Sequence, residues 1–132
     1  MGPATVLGAF SAGAEMLQCR VEDGDVSAMV AMRRVLSRAG TPWLALSVPI
    51  CPVESIRLRA ALVTNDALVV GALALREGAV LLRQTLPLAS LTVAGLEQTL
   101  IALVRTAAAL AATAAVAGAD PGRELPFRYL FR

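Results

Sequence analysis

The chain contains no histidine and no lysine. The missing histidine removes Ser-His-Asp and Cys-His catalysis, the commonest metal ligand and the usual proton shuttle. The missing lysine removes Schiff-base chemistry and the P-loop lysine. All 12 basic residues are therefore arginine, set against 10 acidic ones for a formal charge of +2. So small an excess, spread along the chain rather than clustered, argues against a nucleic-acid partner. An arginine-only basic set beside abundant Ala, Leu and Val reads as the codon bias of a GC-rich, bacterial genome. Cysteine is scarce as well. Cys19 and Cys51 stand far apart with no CxxC spacing, which points to reduced, inert thiols of a cytoplasmic protein, with a disulfide between them as the alternative. Glu54 and Glu97 have no second carboxylate or nucleophile beside them in sequence, and Ser47, Ser55 and Ser90 have no base to activate them. The expectation is a protein that is not an enzyme and uses no cofactor and no metal.

What the chain has in excess is apolar surface. Its 132 residues suit a single domain, yet 57% are hydrophobic, above the usual roughly 45–50%. That excess calls for a further burial site, either a membrane or another protein surface. The N-terminal stretch has no basic residue ahead of its apolar run, so it makes a poor signal peptide. Pro3 after Met1-Gly2 does not suit myristoylation. The one candidate span, Thr99–Gly118, carries Arg105 near its middle, where an arginine costs about 2.5–3.5 kcal/mol. A buried helix is therefore expected there rather than a membrane span.

Periodicity divides the chain into short elements. Residues 4–18 put Val6, Leu7, Phe10, Ala14 and Leu17 on one side of a helix that Gly8 and Gly13 weaken. Asp23-Gly24 signals a hairpin. Residues 25–40 fit a helix through Val26, Met29, Val30 and Arg33, or a strand through Val26, Ala28, Val30 and Met32. Thr41-Pro42 marks a turn into an alternating strand, Trp43–Ile50, which Pro49 and Pro52 stop. Pro52–Asn65 places Val53, Ile56, Ala60 and Val63 near one helical face, with Asn65 as a left-handed stop. Ala67–Arg76 and Ala79–Pro87 form an apolar hairpin around Arg76-Glu77-Gly78, and Gly71 marks a bulge or a close backbone approach. Ser90 or Thr92 caps a long helix that runs to about Ala117 and stops at Gly118. Leu96, Leu100, Leu103, Ala107 and Leu110 form its stripe. Residues 1–118 thus make one domain, and residues 119–132 an aromatic tail in which Phe127, Tyr129 and Phe131 alternate with Arg128 and Leu130.

The segment from Val53 to Ala115 carries a local pattern: Ala60-Ala61-Leu62-Val63-Thr64-Asn65, then Val70-Gly71-Ala72-Leu73-Ala74-Leu75, then a strand running into Leu86-Pro87-Leu88 before the closing helix. In this order it resembles the type III secretion chaperones and the bacterial YbjN family. The resemblance implies an α+β fold of order α-β-β-β-α-β-β-α with an antiparallel sheet packed by helices, and it favours the strand reading of residues 25–40. It also implies dimerisation and, for the chaperones, binding of extended protein segments without ATP. Those chaperones are typically acidic, whereas this chain has a pI of about 8.9, and the aromatic tail lies outside the pattern. A YbjN-like regulatory role therefore stands beside the chaperone role.

The functional expectation is a non-catalytic protein-binding module acting as a homodimer, with a protein client as possible partner. Val53, Ile56, Ala60 and Val63 are the expected dimer contact. Arg57, Arg59, Phe127, Tyr129 and Phe131 are the expected partner contact. Arg57, Arg59, Arg76 and Arg83 also raise the prospect of an anion-binding face, since strand residues two apart share a side. Two alternatives are an interaction subunit held in a hetero-complex and a carrier of small apolar ligands.

Overall fold

Three hairpins build most of the molecule, and each is set by its turn. In the computed structural model, which describes the backbone of residues 5–11 and 16–118 and the side chains of 16–57 and 59–113, strand β2 (Met16–Asp23) turns into β3 (Val26–Leu36). Asp23 pairs with Val26, leaving a two-residue loop of Gly24 and Asp25 with Gly24 at φ 64°. Glycine at the first loop position matches the twist that paired strands need. β3 leads to β4 (Pro42–Pro52) through residues 37–41, where the Ser37 hydroxyl accepts from the Thr41 N–H at 3.1 Å. β5 (Ala72–Arg76) and β6 (Ala79–Pro87) are joined by Glu77 and Gly78, both at positive φ (50° and 79°).

Together with β1 (Thr5–Ser11), these strands form one antiparallel sheet of order β1-β2-β3-β4-β6-β5. Helix α1 (Leu58–Ala67) lies in the connection from β4 to β5, and α2 (Val93–Gly118) follows β6. The molecule is thus an α+β domain, an antiparallel sheet packed with two helices.

Alternation along the strands sends one set of side chains toward the helices. Cys19 and Val21 of β2, Val30 of β3, Leu46 and Val48 of β4 and Leu82 of β6 point there. They meet Leu100, Leu103, Val104, Ala107 and Leu110 of α2 and Ala60 of α1 in one buried cluster. The α2 stripe is the one its sequence spacing predicts, and Thr92 caps it: its Oγ1 accepts from the Gly95 N–H at 3.0 Å. α2 is the one described helix long and apolar enough to cross a membrane. Its buried face lies on the sheet, and Arg105 pairs with Asp23 at the end of β2.

The structure departs from the sequence expectations at three points. Of residues 4–18, those described, 5–11 and 16–18, are strand and not helix: they belong to β1 and the start of β2, which pair antiparallel with a register shift beside Gly8. Gly8 penalises a helix, whereas an edge strand supplies its backbone with cross-strand partners. Residues 26–36 are strand, the reading the resemblance favours, so the order from β2 onward is β-β-β-α-β-β-α, and only the strand ahead of it stands where a helix is expected. Asn65 does not stop α1, which continues through Ala67. Finally, the first strand of the 67–87 hairpin begins at Ala72, after a bent link over residues 68–71 that ends in Gly71.

Candidate protein-binding surface

α1 begins later than its apolar spacing implies. Val53–Ser55 form a single 3-10 turn after Pro52, and Ile56 is extended at φ −137°. Helical geometry therefore starts only at Leu58. Val53, Ile56, Ala60 and Val63 consequently do not share one helical face. Ala60 turns inward and is buried, as does Thr64 one turn on, whose hydroxyl donates to the Ala60 carbonyl at 2.8 Å. Ile56 is half-buried against the core, and Val63 is exposed on the outer side with Leu62.

A groove of about 260 Å³ runs between α1 and the sheet edge at β5. Val53, Ile56, Ala61, Leu73 and Val80 are among the residues that line it. Its rim is apolar and open to solvent: Leu62 is 62% exposed and Leu75 65%. Val69, in the link after α1, is 89% exposed. A helix phased from Val53 does not single out Leu62, and Val69 and Leu75 lie outside the helix, in the link and on β5. Started from Leu58, a helix would have put Leu62 outside and Ala60 and Thr64 inside.

The same edge is closed by a side chain. The Asn65 carboxamide accepts from the Leu73 N–H at 2.5 Å and donates to the Leu73 carbonyl at 3.2 Å. It thereby pairs with β5 as a neighbouring strand would. Gly71 sits just before β5 at φ 74°, its N–H donating to Gln84 Oε1 at 2.7 Å. A Cβ at that position would lie 3.0 Å from the Arg83 carbonyl oxygen. The close approach expected at this glycine is to its own sheet.

The expected arginine contacts divide between two faces. Arg57 and Arg59, both exposed, flank the start of α1. Arg76 and Arg83 share the sheet face turned away from the helices, because Arg76 pairs with Ala79 and Arg83 with Ala72. Arg20 and Arg33 lie on that face too, by their pairing with Met29 and Ala45. Phe127, Tyr129, Phe131 and the whole 119–132 tail lie outside the described residues.

Both cysteines are free thiols. Cys19 is buried under α2 on β2, Cys51 is half-buried at the end of β4, and burial raises the pKa of each. Such thiols are poor nucleophiles. Among the described residues no group of three His, Cys, Asp or Glu side chains is placed to hold a metal. Comparison with family models, with curated proteins and with solved structures finds no match to this chain.

Proposed function

We propose that the chain is a non-catalytic protein-binding module, chaperone-like or YbjN-like in kind, that acts as a homodimer through the α1–β5 edge. The observation that carries this reading is the apolar rim of Leu62 and Leu75 on the α1–β5 groove, with Val63 on α1 and Val69 in the link after it also exposed. Large exposed aliphatic side chains gathered at one edge, beside a groove of matching character, mark an interaction site. The element order from β2 to α2 is the one the secretion-chaperone and YbjN resemblance implies, which supports a reading of that kind. The chain also lacks the side chains on which most protein catalysis depends, having neither His nor Lys.

Sedimentation velocity of the native chain at micromolar concentration tests the proposal. A dimer that Leu62→Asp with Leu75→Asp turns into a folded monomer supports it, since a buried interface does not accept unpaired carboxylates. A native monomer defeats the homodimer. Should the chain aggregate alone and become soluble only with a coexpressed partner, the hetero-complex reading replaces it. Co-purified lipid favours the apolar-ligand carrier.

A further inference from the structure

No described helix packs on the sheet face opposite α1 and α2, where Met29 is exposed while Leu81 is already buried. Met29, Ala31, Pro49 and Leu81 line a trough of about 310 Å³ there. Four arginines stand on this face. Arg20 is engaged by Glu22 at 3.3 Å and by the Ser27 hydroxyl at 3.3 Å. Arg33, Arg76 and Arg83 have no carboxylate within ion-pairing distance among the described residues. Among the described residues Glu22 and Glu77 are the acidic ones on or beside the face, and Glu77 lies in the turn at one end of the trough.

Arg83 is the most telling of the three. It lies on β6 between Ser47 of β4 and Ala72 of β5, and its Nε is buried without a hydrogen-bond partner. A buried donor on a charged group is costly to leave unmade, and a carboxylate is its strongest complement. From strand spacing and rise, Arg33 lies about 12 Å from Arg83 and Arg76 about 14 Å from it. The first is close to two turns of an α-helix, roughly 11 Å, and the second is about two and a half. A helix also brings its backbone hydrogen bonds already satisfied, so it can lie flat on a sheet face that offers none.

We infer that this face binds an acidic amphipathic helix of a partner protein, its apolar stripe in the trough and its carboxylates on Arg33, Arg76 and Arg83. The inference rests on the protein-binding reading of the previous subsection but not on the dimer contact, which lies on the helix side of the same sheet edge.

The probe is a synthetic helical peptide with Leu along one stripe and Glu flanking it, compared with a twin carrying Lys in place of every Glu. Its affinity for the full chain is measured by fluorescence anisotropy at low and at physiological salt. The glutamate peptide should bind at least about tenfold more tightly than its lysine twin and weaken with salt. Arg83→Met should reduce that affinity at least about tenfold while raising Tm, because it removes an unsatisfied buried donor without opening a cavity. Arg33→Gln, at an exposed position, tests the same contact without risk to the fold. Equal binding of the two peptides, no binding of either, or a lowered Tm in Arg83→Met would overturn the proposal. So would a changed sedimentation coefficient in Arg83→Met, which would make the occupant a second copy of the chain. If Leu62→Asp with Leu75→Asp abolishes the dimer but leaves peptide affinity intact, the two surfaces are independent. A dimer without peptide binding removes this inference alone.

Discussion

Asn65 and Leu73 are joined by two hydrogen bonds, side-chain amide to backbone amide, in the geometry of a strand pair. The bond pair turns the outer edge of β5 inward, onto α1. An exposed edge strand is a template for aggregation, and a side chain that occupies its donors and acceptors blunts it. Asn65→Ala should cost about 1–3 kcal/mol, two hydrogen bonds at about 0.5–1.5 kcal/mol each. It should also hasten amide exchange at Leu73 and promote self-association at high concentration. Urea denaturation with residue-resolved hydrogen exchange checks both. Unchanged exchange at Leu73 would mean that the edge is held by something other than Asn65.

The ion pair of Asp23 and Arg105 ties the end of β2 to the middle of α2. The carboxylate side chain is 5% exposed and the arginine side chain 42%, so the cost of breaking the pair falls mainly on Asp23. Arg105→Met should destabilise the fold by about 1–3 kcal/mol, less than the roughly 3–5 kcal/mol of a fully buried pair because water already screens the guanidinium. Adding Asp23→Asn should recover part of that loss. A double-mutant cycle in urea measures the coupling. Strict additivity of the two substitutions would show that the contact contributes nothing.

Gly71 combines a left-handed backbone with a crowded Cβ position against the β6 backbone. Gly71→Ala should therefore destabilise by about 1–3 kcal/mol, the range for a strained conformation held by its surroundings. Gly78, also at positive φ but with open space around its Cβ position, separates the two causes. Its alanine variant carries only the conformational penalty, about 1–2 kcal/mol. Equal losses at the two positions, measured by chemical denaturation, would show that crowding at residue 71 is relieved at no cost.

Much of this fold is legible wherever one local signal dominates. The α2 stripe from Leu96 to Leu110, the Thr92 cap and the Glu77-Gly78 turn depend on neighbours in sequence, and the structure has them where the residues predict. Residues 4–18 misled because Val6, Leu7 and Phe10 suit a helical face. The strand they form instead depends on pairing with β2, a long-range contact that no local pattern encodes. The phase of α1 differs for another reason: extended Ile56 leaves Val53 and Ile56 outside the helix, so that of the four expected contact residues only Ala60 and Val63 lie on α1. The arginine face was half visible. Strand alternation groups Arg76 with Arg83 once the hairpin is known, but bringing Arg33 to the same face requires the β3–β4–β6 order.

Leu100 is buried at the centre of the α2 contact, while Ala108 on the same helix faces solvent. Leu100→Ala should cost about 2–5 kcal/mol, the transfer loss plus the cavity left behind. Ala108→Ser should stay within about 0.5 kcal/mol, as surface substitutions do. The pair of urea midpoints reads the orientation of α2 directly. A loss at Leu100 no larger than that at Ala108 would mean that the helix does not bury this stripe.

The two thiols give the fold an alkaline limit. Burial raises both pKa values above the ordinary thiol value of 9.0, so the folded chain keeps its protons after the unfolded chain has begun to lose them. The unfolded state then binds fewer protons than the native state, and stability falls as pH rises. The contribution is fully present below pH 9.0 and is lost as pH climbs from there through the raised folded values. Urea midpoints should accordingly drop above that pH, and a Cys19→Ala/Cys51→Ala chain should drop less. At neutral pH a thiol-specific reagent should modify half-buried Cys51 first. Cys19, with no exposed surface, should react only at the rate at which β2 and α2 separate. Adding urea below the unfolding transition should therefore accelerate Cys19 far more than Cys51. Equal rates at the two thiols would place Cys19 outside the core.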